Sequence, residues 1–218
     1  MTTTIGFARM VAGFSADRLA RYDREVLPLW DAQGIDAHEV LDLQQIGAWE
    51  TCRRAWRVLA ENWPADILCV LQDDFVPCDH FLPRLKNFLT THQTYSAWGI
   101  FQPATHNPEE CRLLMAAHKD FELSSEMICW GGALVLRREI VNPVLQLAEH
   151  FGAYGIHNDD LRLSRALRYL NIPIMQCSPS LLRHVGAYWP SLCQNGFDNP
   201  QFLSYRAGYT LAGELKNA

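Results

Sequence analysis

The fold is decided by Ile67-Leu68-Cys69-Val70-Leu71-Gln72-Asp73-Asp74, in which an apolar run ends abruptly in two adjacent carboxylates. A buried strand carries such a pair only at its mouth, where water or a cation can neutralise two like charges. Open α/β sheets also bind ligands at the carboxyl ends of their strands. Carboxylate oxygens in an open site suit Mg²⁺ or Mn²⁺. The structural alternative is that Asp73 caps a turn and Asp74 forms a surface ion pair.

Strand and helix signals alternate along the chain, which is the pattern of an α/β sheet with helices on both faces. Strands are predicted over 5–11, 36–43, 67–71, 97–101, 127–136 and 174–177, with Gly131-Gly132 interrupting the fifth. Helices are predicted from an N-cap at Ser15 to about Leu29, over 49–63, 81–89 and 140–148, and from Asp159 to about Leu170. One domain over 1–187 is expected, followed by an aromatic-rich cover or tail over 188–218.

The composition is that of an ordinary globular domain. The chain has 218 residues, of which 49% are hydrophobic and 20% charged, enough to bury one core. A formal net charge of -5 argues against the broad basic surface of a non-specific nucleic-acid binder, although a local basic stripe stays open. The seven cysteines lack zinc-ribbon spacing, which indicates buried thiols in a reducing compartment. Without a signal peptide or an apolar run of about 18–20 residues, a cytoplasmic protein is expected.

A second acidic pair occurs in His157-Asn158-Asp159-Asp160, at the start of a predicted helix. The positive end of the helix dipole holds carboxylates there ionised, and an ionised carboxylate can accept a proton from an attacking hydroxyl. The structural alternative is that Asp159 is the N-cap, which is the commoner use of Asp at that position. Asp160 is not needed for capping, so it is the better catalytic candidate.

A late histidine lies in Pro179-Ser180-Leu181-Leu182-Arg183-His184-Val185-Gly186. An imidazole between an apolar strand end and a glycine can bind a metal, and Arg183 beside it can meet a diphosphate. The alternative is a hydrogen-bonded structural histidine.

Together these motifs resemble the GT-A class of nucleotide-sugar glycosyltransferases, and they follow the order of that class. The string Val70-Leu71-Gln72-Asp73-Asp74 looks like its DxD-type metal motif. Trp130-Gly131-Gly132-Ala133 looks like its glycine-rich acceptor-side segment, and Asn158-Asp159-Asp160 like its later acidic motif. The segment around His184 is similar to the one that carries the metal-binding histidine in N-acetylglucosaminyltransferases that branch N-glycans. The resemblance spans about 67–186 and implies a GT-A-like fold, a Rossmann-like mixed sheet.

The resemblance also implies an activity. The chain would be a metal-dependent, inverting glycosyltransferase that moves a hexose or pentose from a nucleoside-diphosphate sugar, a UDP-sugar first, to an acceptor hydroxyl. Asp74 and His184 would hold Mn²⁺ or Mg²⁺. Asp160 would be the general base if the enzyme inverts the anomeric centre, with Asp159 holding the acceptor hydroxyl; retention stays open, with Asp160 then only orienting the acceptor.

On the donor side, the resemblance implies that Asp73 contacts the ribose or the donor sugar. Gln72 stands where many members of the class have a carboxylate, so it can hydrogen-bond a sugar hydroxyl but adds no charge to the metal site. Gly131 and Gly132 would let the backbone approach the donor while the indole of Trp130 packs on the acceptor. A bulge in the strand is the alternative for the glycine pair.

Two other classes of function stay open. A nucleotidyltransferase that makes a nucleotide sugar usually shows a Gly-rich phosphate loop with a lysine near the amino terminus, and residues 5–15 contain no lysine. A non-catalytic sugar-nucleotide binding module would keep Asp74 and could dispense with Asp160. For a transferase, a small saccharide is the first acceptor to consider, and a modified DNA base is the second.

For two further groups of residues, the sequence leaves two alternative roles open. Arg53, Arg54 and Arg57, on the helix before the central strand, are either solvated or in contact with phosphate. The aromatic residues of the tail either fold over the bound donor as a lid or pack on the sheet. They are Trp189, Phe197, Phe202, Tyr205 and Tyr209.

Overall fold

A computed structural model of the protein describes residues 4–12, 15–102, 108–125 and 127–184. The strands are β1 (Ile5–Val11), β2 (Ala37–Leu41), β3 (Ile67–Gln72), β4 (Phe75–Pro77), β5 (Ala97–Gly99), β6 (Phe121–Glu122), β7 (Ala133–Arg137), β8 (Ile174–Gln176) and β9 (Leu182–His184). The helices are α1 (Ala16–Arg21), α2 (Leu27–Asp31), α3 (Ala48–Asn62), α4 (Phe81–Thr91), α5 (Pro108–Ala116), α6 (Arg138–Ala153) and α7 (Asp159–Tyr169). A π-helical turn, Tyr22–Val26, joins α1 to α2.

The strands form a seven-stranded mixed sheet in the order β2-β1-β3-β7-β5-β8-β6, and β4 pairs with β9 in a separate ribbon. β1 is parallel to β2 and β3, whereas β7 runs antiparallel to β3 and to β5. β8 runs parallel to β5, so both strands point in the same direction as β1 and β3. The predicted α/β class, with a mixed sheet in a single domain, is therefore confirmed, and the arrangement is consistent with a GT-A-like fold.

Helices cover both faces of the sheet, as predicted. Alternate side chains of β3 point to opposite faces, so Cys69 and Leu71 join one core and Leu68 and Val70 join the other. The first core is closed by the α1–α2 segment and α4, and the second by α3, α6 and α7. β3 is therefore an internal strand, buried on both faces and paired with β1 and β7 on either side.

The helix predicted from Ser15 is confirmed at its start, since the Ser15 side chain accepts a hydrogen bond from Arg18 N–H at 3.1 Å. The strand predicted over 127–136 is wrong in its first half. The chain turns at 131–132, with Ala133 N–H donating to the Trp130 carbonyl at 3.0 Å, and β7 begins only at Ala133. The glycine pair therefore forms a turn, and the bulge considered for it is not observed.

The five cysteines whose side chains the structure describes are free and buried, as predicted from their apolar surroundings. In the described ranges, no helix combines the length and the apolar character that crossing a bilayer requires. The tail predicted over 188–218, with its five aromatic candidates, lies outside the described residues.

Candidate active site

Asp73 and Asp74 form a turn that leaves β3 and enters β4. Asp73 N–H donates to the Met10 carbonyl at 2.9 Å, which fixes this turn to the neighbouring strand β1. The two carboxylates then meet different partners, and neither lies in a surface ion pair. The predicted position at the mouth of a buried strand is the one observed.

The side chain of Asp73 is fully buried and is bound by Arg18 of α1. Nε of Arg18 lies 2.5 Å from one carboxylate oxygen and Nη2 lies 2.7 Å from the other. Burial raises the pKa of Asp73 to about 6, and Asp74 adds to this while Arg18 opposes it. Because Arg18 engages both oxygens, it compensates the buried charge.

Arg18 is a site residue that sequence reasoning missed. It lies 55 positions from Asp73, so no local pattern connects the two. The one available signal was the Ser15 N-cap, which places Arg18 in the first turn of a helix that follows β1. In a parallel arrangement, the carboxyl end of β1 and the start of the next helix lie beside the carboxyl end of β3.

Asp74 pairs with the predicted late histidine. Nε2 of His184 lies 2.9 Å from Oδ2 of Asp74, and the two side chains are 8% and 15% exposed. The antiparallel pairing of β4 with β9 causes this contact, since it sets His184 opposite Phe75. Phe75, Phe101 and Trp130 surround the imidazole, with ring centroids 5.1, 6.2 and 5.9 Å away.

The acidic pair at the start of α7 approaches the same place. Asn158 is the N-cap of α7, because its side chain accepts from Leu161 N–H at 2.9 Å, so the interpretation of Asp159 as the N-cap is wrong. Asp159 is buried, and its Oδ2 has no hydrogen-bond partner among the described residues. Burial raises the pKa of Asp159, the first-turn amides of α7 lower it, and the charge of nearby Asp74 raises it.

Asp160 is held differently from its neighbour. Its Oδ1 accepts a hydrogen bond from Gly131 N–H at 2.5 Å. A Cβ at Gly131 would lie 3.2 Å from that oxygen and 3.0 Å from the side chain of Leu163. Asp160 therefore ties the start of α7 to the turn that precedes β7, and a side chain at Gly131 would crowd this contact.

Gly132 gives room to Gln72. A Cβ on Gly132 would lie 2.5 Å from both Cβ and Oε1 of Gln72, closer than real Cβ contacts come. The backbones are also joined, since Gln72 N–H donates to the Gly132 carbonyl at 3.0 Å. The half-buried Gln72 amide thus lies at the end of β3, beside the turn that follows Trp130.

The arginines divide between the site and the surface. Arg183 precedes His184 on β9, so its side chain points to the other face of the ribbon, and its Nε is buried without a hydrogen-bond partner among the described residues. On α3, Arg53 binds Glu50 through two hydrogen bonds of 2.7 Å, and Arg54 contacts the same carboxylate at 3.2 Å. Arg57 is exposed. The α3 arginines therefore match the solvated interpretation.

Asp74 and His184 fit a divalent cation as a two-residue site. The part of the chain that the structure describes holds no cluster of three or more metal-ligating side chains, so these two would be the protein's ligands. Neighbouring ligands of an octahedral ion, each about 2.1 Å from it, lie roughly 3 Å apart. The 2.9 Å between Oδ2 and Nε2 agrees with that separation. Such a site leaves most coordination positions to ligand oxygens and water.

No protein-family model matches this chain, and no curated protein matches it in sequence. Among solved structures, the chain is similar to A197 from STIV, with 14% identity and a TM-score of 0.52 over 83% of this chain and 84% of that one. It is also similar to a glycosyltransferase involved in the glycosylation of the major capsid of PBCV-1, with 12% identity and a TM-score of 0.47 over 93% of this chain and 98% of that one. The likeness to A197 shows a shared fold.

Proposed function

We propose that this protein is a metal-dependent glycosyltransferase that moves a sugar from a nucleoside-diphosphate sugar to an acceptor hydroxyl. One observation supports the proposal above the others. Asp74, His184 and the acidic pair of α7 come from three distant parts of the sequence and meet at the carboxyl end of β3. A cation-binding pair beside a buried carboxylate whose Oδ2 makes no hydrogen bond to the described residues is the combination that sugar transfer from a diphosphate requires.

The leaving group needs compensation for its charge. When the glycosyl–phosphate bond breaks, its electron pair stays on the diphosphate, and Mn²⁺ or Mg²⁺, when bound, would supply electrostatic stabilisation of that charge. Asp74 and His184 would hold the ion, and the surrounding aromatic rings fix the imidazole before any ligand arrives. Arg18 compensates the negative charge of Asp73. The two metal-binding side chains therefore do not lie beside a buried carboxylate whose charge is unpaired.

The acceptor needs a base, and the geometry favours Asp159. Its Oδ2 is buried and makes no hydrogen bond to the described residues, and its raised pKa makes it a better proton acceptor than an ordinary aspartate. Asp160 is engaged by Gly131 N–H. We therefore assign proton transfer to Asp159 and positioning of the Trp130–Gly131 turn to Asp160, whereas the resemblance implied that Asp160 is the base.

The reaction then balances at named atoms. The hydroxyl proton of the acceptor passes to Oδ2 of Asp159 while the oxygen forms a bond to the anomeric carbon. The bond from that carbon to the diphosphate breaks, and the nucleoside diphosphate leaves. One base opposite the leaving group corresponds to inversion of the anomeric centre.

The donor and acceptor follow from the residues around these groups. We propose a UDP-sugar as donor, with Gln72 and the Trp130–Gly132 turn beside the sugar. A saccharide is the acceptor class that the acidic chain supports best, because a net charge of -5 disfavours a polyanionic DNA acceptor.

Incubation with a panel of nucleotide sugars and Mn²⁺ tests the proposal. Release of nucleoside diphosphate that stops when the metal is chelated supports transfer, whereas release of pyrophosphate supports a nucleotidyltransferase. Donor binding without turnover supports a binding module. Asp74→Asn is expected to abolish the metal-dependent release, and Asp79→Asn, at an exposed aspartate beyond β4, is the matched control.

A further inference from the structure

A cleft of about 350 Å³ lies between the carboxyl-terminal part of α6 and α7, outside the candidate active site. Aromatic and aliphatic side chains form most of its lining, and none of the lining residues is acidic. The residues that carry the argument are His150, Phe151, Tyr154, Ile156, Arg165 and Tyr169.

The two tyrosines present unusually large exposed rings. Tyr154 is 73% exposed and Tyr169 is 72% exposed. Both rings are nevertheless held, since His150 contacts Tyr154 at 5.0 Å between centroids and Phe151 contacts Tyr169 at 6.3 Å. Exposed aromatic groups that are fixed in this way are typical of a binding surface.

The chemistry of the cleft matches a sugar ring. A pyranose presents C–H groups on its ring faces and hydroxyls around its edge, so it stacks on an aromatic face and hydrogen-bonds at the side. Tyr154 and Tyr169 offer both the faces and phenol hydroxyls, while Arg165 and His150 add further hydrogen-bonding groups. With Arg165 as a cation and no carboxylate in the lining, the cleft favours a neutral or acidic saccharide over a cationic ligand.

The cleft and the proposed catalytic base, Asp159, both lie along α7. Asp159, Arg162, Arg165 and Tyr169 follow one another at three- and four-residue spacing, so they lie along one side of the helix. The ten steps from Asp159 to Tyr169 correspond to about 15 Å of helix. A short oligosaccharide can cover that distance, whereas a monosaccharide cannot.

Arg162 joins the two ends mechanically. Its guanidinium is stacked over Trp49 at 4.8 Å and donates from Nε to the Ile156 carbonyl at 2.5 Å. It also lies within electrostatic range of Asp159. One buried side chain thus holds the wall of the cleft at Ile156 and also interacts electrostatically with Asp159.

We propose that this cleft binds the remote sugars of an oligosaccharide acceptor, whose terminal hydroxyl is then presented at Asp159. The role as an acceptor subsite rests on the proposed function, whereas saccharide binding at the cleft does not. The preferred acceptor is therefore an oligosaccharide and not a free monosaccharide.

Binding in the absence of donor tests this directly. The intact protein is screened against mono- to pentasaccharides of gluco, galacto, manno, rhamno and N-acetylglucosamine type, and hits are titrated by nuclear magnetic resonance with labelled tyrosine rings. We expect affinity to increase with chain length, and Tyr154→Ala to weaken binding of the best oligosaccharide at least about tenfold. Tyr154→Phe, which keeps the ring, retains most of the affinity. Leu113→Ala, at an exposed apolar residue of α5 outside the lining, leaves it unchanged.

Three results would overturn the inference. They are no binding across the whole panel, binding that Tyr154→Ala and Tyr169→Ala leave intact, and self-association of the protein that Tyr154→Ala abolishes in sedimentation experiments. Oligosaccharide binding at the tyrosines without any sugar transfer would support the cleft and count against the proposed activity. Transfer to monosaccharides and oligosaccharides with equal KM would support the proposed activity and count against the cleft as an acceptor subsite.

Discussion

Arg18 donates from Nε and Nη2 to the two oxygens of Asp73, at 2.5 and 2.7 Å, and this carboxylate is fully buried. Removing one partner of a buried ion pair leaves an uncompensated charge, so we expect Arg18→Gln to lower the free energy of unfolding by about 3 kcal/mol. Chemical denaturation measures the change. Adding Asp73→Asn should restore most of the loss. Arg24→Gln, in an exposed pair with Glu25, is the control and should have little effect.

His184→Ala should weaken Mn²⁺ binding, because the imidazole is one of the two side chains assigned to the ion. Isothermal titration calorimetry with nucleoside diphosphate present is expected to show a loss beyond the roughly 10- to 100-fold that removal of a supporting residue causes. His38→Ala, at an exposed histidine of β2, should bind the metal normally. Unchanged affinity in His184→Ala would remove the histidine from the metal site.

Asp159→Asn should separate activity from stability. We expect kcat to fall by about 10²- to 10⁴-fold, because the amide cannot accept the proton, while donor binding is retained. The same change removes a buried carboxylate whose raised pKa shows that its ionised form is disfavoured in the fold. The free energy of unfolding should therefore increase, and Tm should rise by about 2–4 °C for each kcal/mol gained. Calorimetry and steady-state kinetics on one preparation give both quantities. A drop in both would point to a structural role.

Two substitutions at Asp160 test its assignment as a positioning residue. Asp160→Asn keeps an oxygen that can accept from Gly131 N–H, so most of kcat should survive, whereas Asp160→Ala loses the hydrogen bond and should lower it clearly. If Asp160 were the base, as the resemblance implied, the asparagine variant would lose as much activity as Asp159→Asn. The ratio of the two kcat values decides between these assignments.

The pH dependence should report the raised pKa of Asp159. An ordinary aspartate titrates near about 3.9, and the folded protein holds this proton to higher pH. Activity needs the ionised form, so kcat should decline with falling pH through the raised pKa. Stability has the opposite sign, since the fold favours the protonated acid. The contribution of this group to stability increases as pH falls from the raised pKa towards the ordinary one. A pH profile that Asp159→Asn leaves unchanged would contradict this.

Local patterns explain the parts of the fold that the sequence predicts well. β1, the Ser15 cap and the start of α7 follow from apolar periodicity and capping chemistry, which act over a few residues. The prediction of a strand over 127–136 was wrong in its first half, because contacts with side chains distant in sequence determine the backbone at the glycine pair. Gly131 lies against Asp160 and Gly132 against Gln72, so the chain turns where local apolar character favoured a strand.

The candidate site was predictable in its residue types and less so in its connections. Asp74 and His184 were paired from motif order, and the structure brings them together. The partner of Asp73 was not foreseen, because Arg18 lies 55 positions away and comes beside it only through the pairing of β1 with β3. The sequence also did not show that Asp160 accepts a hydrogen bond from Gly131 N–H or that Asn158 is the N-cap of α7. Both contacts depend on how the chain folds around the start of α7.

His184 reaches Asp74 across 110 positions of sequence through the ribbon of β4 and β9, each three residues long. So short a ribbon gains little from its own main-chain pairing. An ion held by both residues would act as a cross-link, and mass action would make the docking of β9 depend on the concentration of that ion. Metal supply would then set how resistant residues 180–184 are to proteases, which makes limited digestion at this strand a measure of how much of the protein holds the ion.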